Sequence, residues 1–292
     1  MSWRIVVVTE MAKLDYKIGY LVIRKRNEIT RVHISEIGLL MVESTMSSCT
    51  TLLLAELIKS KVNVIFCDEK HNPISQLLPL YGSHDTSAKI RKQIQFSDEV
   101  KKQIWTEIVT EKIRQQKNNL YLFGLIEASE LLQSYIEEIQ YGDETNREGH
   151  AAKVYFNALF GKSFTRSDEN PVNAALNYGY GIVLACFNRE IVAQGYVTQL
   201  GIFHDNMFNQ FNLASDLMEP FRTLVDKAVY SLKPDKFEHE EKMEVLSLLN
   251  HEVTIEGKCQ YVTNAIKIYV RSIFDALNEE DVSLIKFYKN EL

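Results

Sequence analysis

Nothing in this chain of 292 residues approaches the roughly twenty consecutive apolar positions needed to cross a bilayer, which excludes a helical membrane protein. The first apolar run, Ile5 to Val8, is too short for the core of a secretory leader and reads as a first strand, from Trp3 to Val8. Cysteine is sparse. Cys49, Cys67, Cys186 and Cys259 lie far apart with no CxxC pair, which argues against a disulfide framework or a zinc cluster and for reduced thiols in the cytoplasm. No internal repeat, low-complexity tract or phosphate-cradling glycine loop is present: the glycines of Asn177-Tyr-Gly179-Tyr-Gly181 lack a preceding strand and the required spacing.

What is present is ordinary globular material, 46% hydrophobic and 25% charged, enough for a sizeable core in two domains. The net charge of −6 would by itself argue against a nucleic-acid partner. Its distribution matters more. Residues 88–117 carry eight Lys or Arg against four acids, whereas 118–150 carry seven acids against one Arg. Two solvated helical faces are the plain account; a basic stripe for duplex DNA is the functional one.

The first eighty residues have strand character. Two apolar runs between Tyr16 and Ile34, broken by the charged tip Arg24 to Glu28, suit a hairpin, and Ile37–Val42, Val62–Phe66 and Ile74–Leu80 are further strands around a short helix, Leu52–Ser60. A turn-rich break follows at residues 81–87. Beyond it the pattern is helical almost to Leu292, apart from a small hairpin over residues 253–262; Ser97 caps one helix through Ile113, and another spans about Leu120 to Ile139. The expectation is an α+β protein, a small β-rich domain over residues 1–84 and a larger α-helical domain over 85–292.

Three helical segments carry candidate chemistry. In the first, Thr145 and Glu148 have capping-box spacing, with Arg147, Lys153 and Tyr155 nearby and Tyr155 on the same face as Glu148. In the second, Gly179 and Gly181 inside an apolar helix suggest close backbone packing or approach to a ligand. The third, Gly201 to Tyr230, gathers His204, Asp205, Asp216 and Glu219 with Asn206, Asn209 and Asn212 amid apolar residues, a composition that can surround a hard divalent cation. Asp216 and Glu219 share a helical face at i and i+3, and Pro220 belongs near a helix start, so the acids sit at a mouth. A structural histidine and an acidic first turn are the competing account.

Five stretches, taken together and in order, resemble the Cas1 family of CRISPR-associated spacer integrases and nucleases, in the version that accompanies type II-A systems. They are Trp3-Arg4 with its valine run, Val64 to Asp68, Asn146 to Ala152, Asn177 to Tyr180, and Ser215 to Arg222. The resemblance implies a β-rich dimerisation domain, a helical catalytic domain that binds metal and DNA, and a homodimer. It places the catalytic and metal-binding triad on Glu148, His204 and Glu219, with Asp216 as a supporting acid; the last triad acid is Asp in many relatives. It also implies Mg2+ or Mn2+, one ion per site, the imidazole tilting the preference towards Mn2+. The implied reaction is attack by the 3′-hydroxyl of a captured DNA fragment on a phosphodiester at the edge of the CRISPR repeat. Arg147, Lys153, Tyr155 and Arg222 are the expected DNA contacts. Expected partners are DNA, a second copy, the small protein Cas2 and other type II-A CRISPR proteins, with no membrane. A branched-DNA nuclease that does not integrate, and a non-catalytic scaffold, are the alternatives.

Overall fold

The structure is a computed structural model that describes residues 4–80 and 82–289. Trp3, Tyr81 and the last three positions, all touched by the expectations above, lie outside the described residues. Two compact units make up the chain, Met1–His84 and Asp85–Leu292.

The first unit contains β1 (Arg4–Val8), β2 (Lys13–Lys17), β3 (Tyr20–Arg24), β4 (Ile29–His33), β5 (Ile37–Val42), β6 (Ser48–Cys49), α1 (Thr51–Lys59), β7 (Asn63–Cys67) and β8 (Pro73–Leu77). They form two four-stranded sheets, ordered β1-β5-β7-β8 and β4-β3-β2-β6. The parallel strands β5 and β7 are joined through α1, whose first turn is capped by Thr50, its hydroxyl accepting the Leu53 amide. Val6, Leu14, Leu21, Leu40, Leu53 and Val64 belong to one buried apolar cluster drawn from both sheets and α1. The stretch expected as a single hairpin over 16–34 is three strands. Ile18 and Gly19 both adopt positive φ, 47° and 81°, which makes a two-residue turn between β2 and β3 in addition to the charged tip after β3.

The second unit holds α2 (Thr86–Ile94), α3 (Asp98–Leu122), α4 (Ile126–Glu137), α5 (Arg147–Phe160), α6 (Pro171–Ala193), α7 (Asn212–Leu217), α8 (Glu219–Leu232), α9 (His239–Ser247), the hairpin β9 (Glu252–Ile255) and β10 (Lys258–Tyr261), and α10 (Val262–Glu279). The α+β class is therefore as expected. Ser97 caps α3, accepting the Val100 amide at 3.3 Å. That helix runs nine residues beyond Ile113 and stops before Gly124, whose φ of +76° ends the turn, so the expected helix from Leu120 begins only at Ile126.

Helix α3 is the hub of this unit, packing against α4, α5, α7, α8 and α10. At Gly179 of α6 a Cβ would run into Val225 of α8, so this glycine sets how closely the two helices approach. Gly181 is different: no atom would meet a Cβ there within 4 Å, and packing does not explain it. All four cysteines are free thiols, Cys67 and Cys186 buried and Cys259 exposed. Among the described residues no helix is long and apolar enough to cross a membrane.

Candidate active site

Glu148 lies in the first turn of α5, but not through the expected capping box. Asn146, with a φ of 53°, caps the helix and accepts the Gly149 amide, while Asp143 accepts the amides of Arg147 and Glu148 at 2.8 and 3.1 Å. Thr145 is not the cap, and its buried hydroxyl oxygen has no hydrogen-bond partner. With the amides served by Asn146 and Asp143, the Glu148 carboxylate turns elsewhere: its Oε1 accepts Lys112 Nζ at 2.6 Å.

The same ammonium reaches Glu219, donating to its Oε2 at 2.5 Å. Glu219 opens α8, and Pro220 occupies the first turn as expected, where a missing N–H costs nothing. Asp216 and Glu219 are nonetheless on two helices, α7 ending and α8 beginning at Met218. This break lets the two acids serve different partners.

Asp216 is fully buried and organises the loop before it. Its Oδ2 accepts the Ile202 and Phe203 amides at 2.7 and 2.9 Å, and its Oδ1 accepts the His204 amide at 3.3 Å and meets His204 Nδ1 at 2.5 Å. A carboxylate holding three amides offers only acceptors, so Nδ1 carries the hydrogen and Nε2 bears the lone pair of the neutral ring. Gly201 is required here: a Cβ would collide with the His204 carbonyl oxygen and crowd Asp216 Oδ2. Behind the loop, Trp105 of α3 stacks on Phe203 at 4.4 Å and meets His204 edge-on at 5.8 Å.

The electrostatics link these groups. The Asp216 hydrogen bond pushes the His204 imidazole pKa up, partial burial opposes this, and the negative charges of Asp216, Glu148 and Glu219 add to the rise. Burial alone would lift the Glu219 pKa, but Arg222 and Lys112 outweigh it and bring it to about 2. Burial likewise disfavours charge on Lys112, and Glu219 and Glu148 more than offset it, so the ammonium persists. Two carboxylates, two cations and an oriented imidazole thus share one neighbourhood.

The donor set suits a divalent ion: two carboxylates and an imidazole whose other nitrogen is held by an acid, the usual second-layer arrangement behind a ligating histidine. As placed, the glutamates close on Lys112, and among the described residues no three His, Cys, Asp or Glu side chains stand together around one point. The residues fit the group by chemistry once the ammonium leaves the space between the carboxylates.

Of the expected DNA contacts, Lys153 is exposed and Arg222 donates Nε to Glu219 Oε1 at 2.9 Å while lying 4.7 Å over the Tyr180 ring. Arg147 pairs with Glu138 at 2.7 Å and lies over Tyr135. Tyr155 is 0% exposed: it projects from α5 onto α3, where its hydroxyl accepts from Asn119. Much of the basic region 88–117 is engaged with its own acids, as in Lys89 with Asp85, Lys101 with Asp98 and Lys102 with Glu144. Asp205 lies exposed beside His204.

Lys112 was missed from sequence, as was the pair in which Tyr180 donates its hydroxyl hydrogen to buried Asp226. A signal for the first existed. Trp105, Ile108, Val109 and Leu120 mark the buried stripe of α3, and Lys112, Gln116 and Asn119 fall on it at helical spacing. Polar residues on an apolar stripe point to a buried network.

Fold and site together define a two-unit α+β protein whose helical unit encloses an acid-histidine centre. The model of the CRISPR-associated protein Cas1 family matches residues 5–254. A CRISPR-associated endonuclease Cas1 of Neisseria meningitidis serogroup C (strain 8013) is 33% identical over 292 residues, 98% of this chain and 96% of the relative. Among solved structures, a casposase bound to integration product superimposes with a TM-score of 0.76 at 18% identity, over 96% of this chain and 92% of the other. A chain of a Cas6-RT-Cas1–Cas2 complex gives 0.75 at 16% identity, over all of this chain and 36% of that longer one. The chain belongs to the CRISPR-associated protein Cas1 family.

Proposed function

We propose that this protein is a metal-dependent DNA integrase that joins captured DNA fragments to the end of a CRISPR repeat, with Glu148, His204 and Glu219 as its ion-binding groups. The observation that carries the reading is the convergence of Glu148 and Glu219, 71 positions apart, on one ammonium beside an imidazole that Asp216 orients. A bound Mg2+ or Mn2+ would polarise a phosphoryl oxygen and stabilise the charge that builds up in the in-line displacement.

The chain's own groups would do the rest. A 3′-oxygen of the fragment forms a new bond to phosphorus while the bond to the repeat strand's 3′-oxygen breaks; the attacking hydroxyl gives up one proton and the departing oxygen takes one up, so no external energy source is needed. Arg222, fixed between Glu219 and the Tyr180 face, provides a positive charge at the phosphate's side. Lys153, exposed on α5, is placed to hold backbone phosphate further out.

The similar structures support the partners in this reading: the casposase is bound to an integration product, and the other chain is part of a complex containing Cas2. DNA, Cas2 and a second copy of this chain are the proposed assembly, with other type II-A CRISPR proteins joining it. The test is to incubate purified protein and Cas2 with a fragment and repeat DNA in Mn2+. Joined strands, lost in Glu148→Ala and His204→Ala, are the expected result. Strands that are only shortened would favour a branched-DNA nuclease, and joining retained in both variants would leave a scaffold.

A further inference from the structure

The geometry points to Lys112 as a resident counter-ion that holds Glu148 and Glu219 together and must be displaced before a divalent cation can bind them. The inference rests on the metal-dependent reading above and concerns how that site is kept ready and how it is loaded.

Lys112 Nζ lies 2.6 Å from Glu148 Oε1 and 2.5 Å from Glu219 Oε2, and the three side chains are only 10%, 19% and 7% exposed. Two carboxylates this deeply withdrawn from water repel each other and lose solvation; without a cation one of them would take up a proton or move away. Arg222 satisfies only Glu219, through the oxygen that Lys112 leaves. Among the described residues, it is Lys112 that bridges both glutamates.

The same position is what a metal needs. An ammonium hydrogen and a divalent ion compete for the same carboxylate lone pairs, and together they would put like charges in near contact. Lysine suits a removable plug because its charge is a compact ammonium on four flexible carbons, whereas arginine's planar fork would bind both carboxylates rigidly. Lys112 projects from the middle of α3, the best-packed helix of the unit, so its backbone stays fixed while the side chain swings.

Mn2+ binding to the full-length protein tests this, read as the dissociation constant from the spectrum of the free ion and as the metal-induced shift in unfolding temperature. Lys112→Met is expected to melt earlier than wild type without metal, to bind Mn2+ at least about tenfold more tightly, and to gain more in melting temperature on adding it. Lys112→Arg, which keeps the charge and the fold, is expected to bind Mn2+ more weakly than wild type. Glu148→Gln is expected to lose binding in every background. Equal or weaker binding in Lys112→Met, or unchanged binding in Lys112→Arg, overturns the inference while leaving the metal site standing. Absence of binding sensitive to Glu148→Gln, in wild type as well as variants, overturns the metal reading itself, and this inference with it.

Discussion

The two units bury different things. Among the described residues, two buried polar side chains, Glu43 and Asn63, fall in the first unit and nineteen in the second, although the second is only about two and a half times as long. Size does not account for that ratio. The first unit is held by apolar clusters such as Leu14, Leu40 and Val64, in which any side chain of similar size and shape would serve. In the second, Lys112, Asp216, Glu219 and Asp226 are buried and charged or hydrogen bonded, so each depends on named partners. Buried charges add little net stability compared with apolar packing, and a fold that concentrates them is holding a site.

Substitutions sharpen this contrast, and the largest effect belongs at the site. Glu219→Gln keeps shape and removes the charge; strand joining should fall by on the order of a thousandfold, with the fold intact by circular dichroism. Joining within tenfold of wild type would remove Glu219 from the chemistry. Leu40→Ala in the first unit should do the reverse, lowering stability by about 2–5 kcal/mol while leaving joining per folded molecule unchanged. Chemical denaturation together with an activity titration would show whether the two kinds of damage separate.

Asp226 makes a subtler test. Burial lifts its pKa from 3.8 to about 7, against the Tyr180 hydrogen bond and the positive charges of Lys112, Arg222 and Arg166. Because the folded value lies above the unfolded one, the stability it contributes is complete below about pH 4 and is lost as pH rises through about 7, each unit of separation being worth roughly 1.4 kcal/mol. Wild type should therefore lose more melting temperature than Asp226→Asn between pH 5 and pH 8. Parallel slopes in calorimetry would show that the Asp226 proton is not released on that interval. The smallest effect is at Lys153, where Ala should weaken duplex binding a few-fold and lower the salt slope by about one, if it meets a phosphate. An unchanged slope would place Lys153 off the DNA path.

Much of this architecture could be read from local pattern. Strand periodicity located β1, β5 and β7, Ser97 announced α3, Pro220 marked the start of α8, and the polar run after Gly201 marked the site loop. What local pattern misses is burial decided by distant helices. Thr145 and Glu148 have capping-box spacing, yet Asn146 and Asp143 take that work, because Asn146 adopts positive φ and shifts the helix start by one residue. Tyr155 looks like an accessible aromatic beside a glutamate, but α3 closes over it and Asn119 takes its hydroxyl. The meaning of Lys112 depends on Glu148 and Glu219, 36 and 107 positions away, and no window of sequence contains all three.

Anomalous diffraction from Mn2+-soaked crystals tests the central claim most directly. The account predicts one strong peak bonded to Glu148, His204 and Glu219, with the Lys112 ammonium moved out from between the two carboxylates. A peak elsewhere, or none with Lys112 still bridging both glutamates, would contradict it.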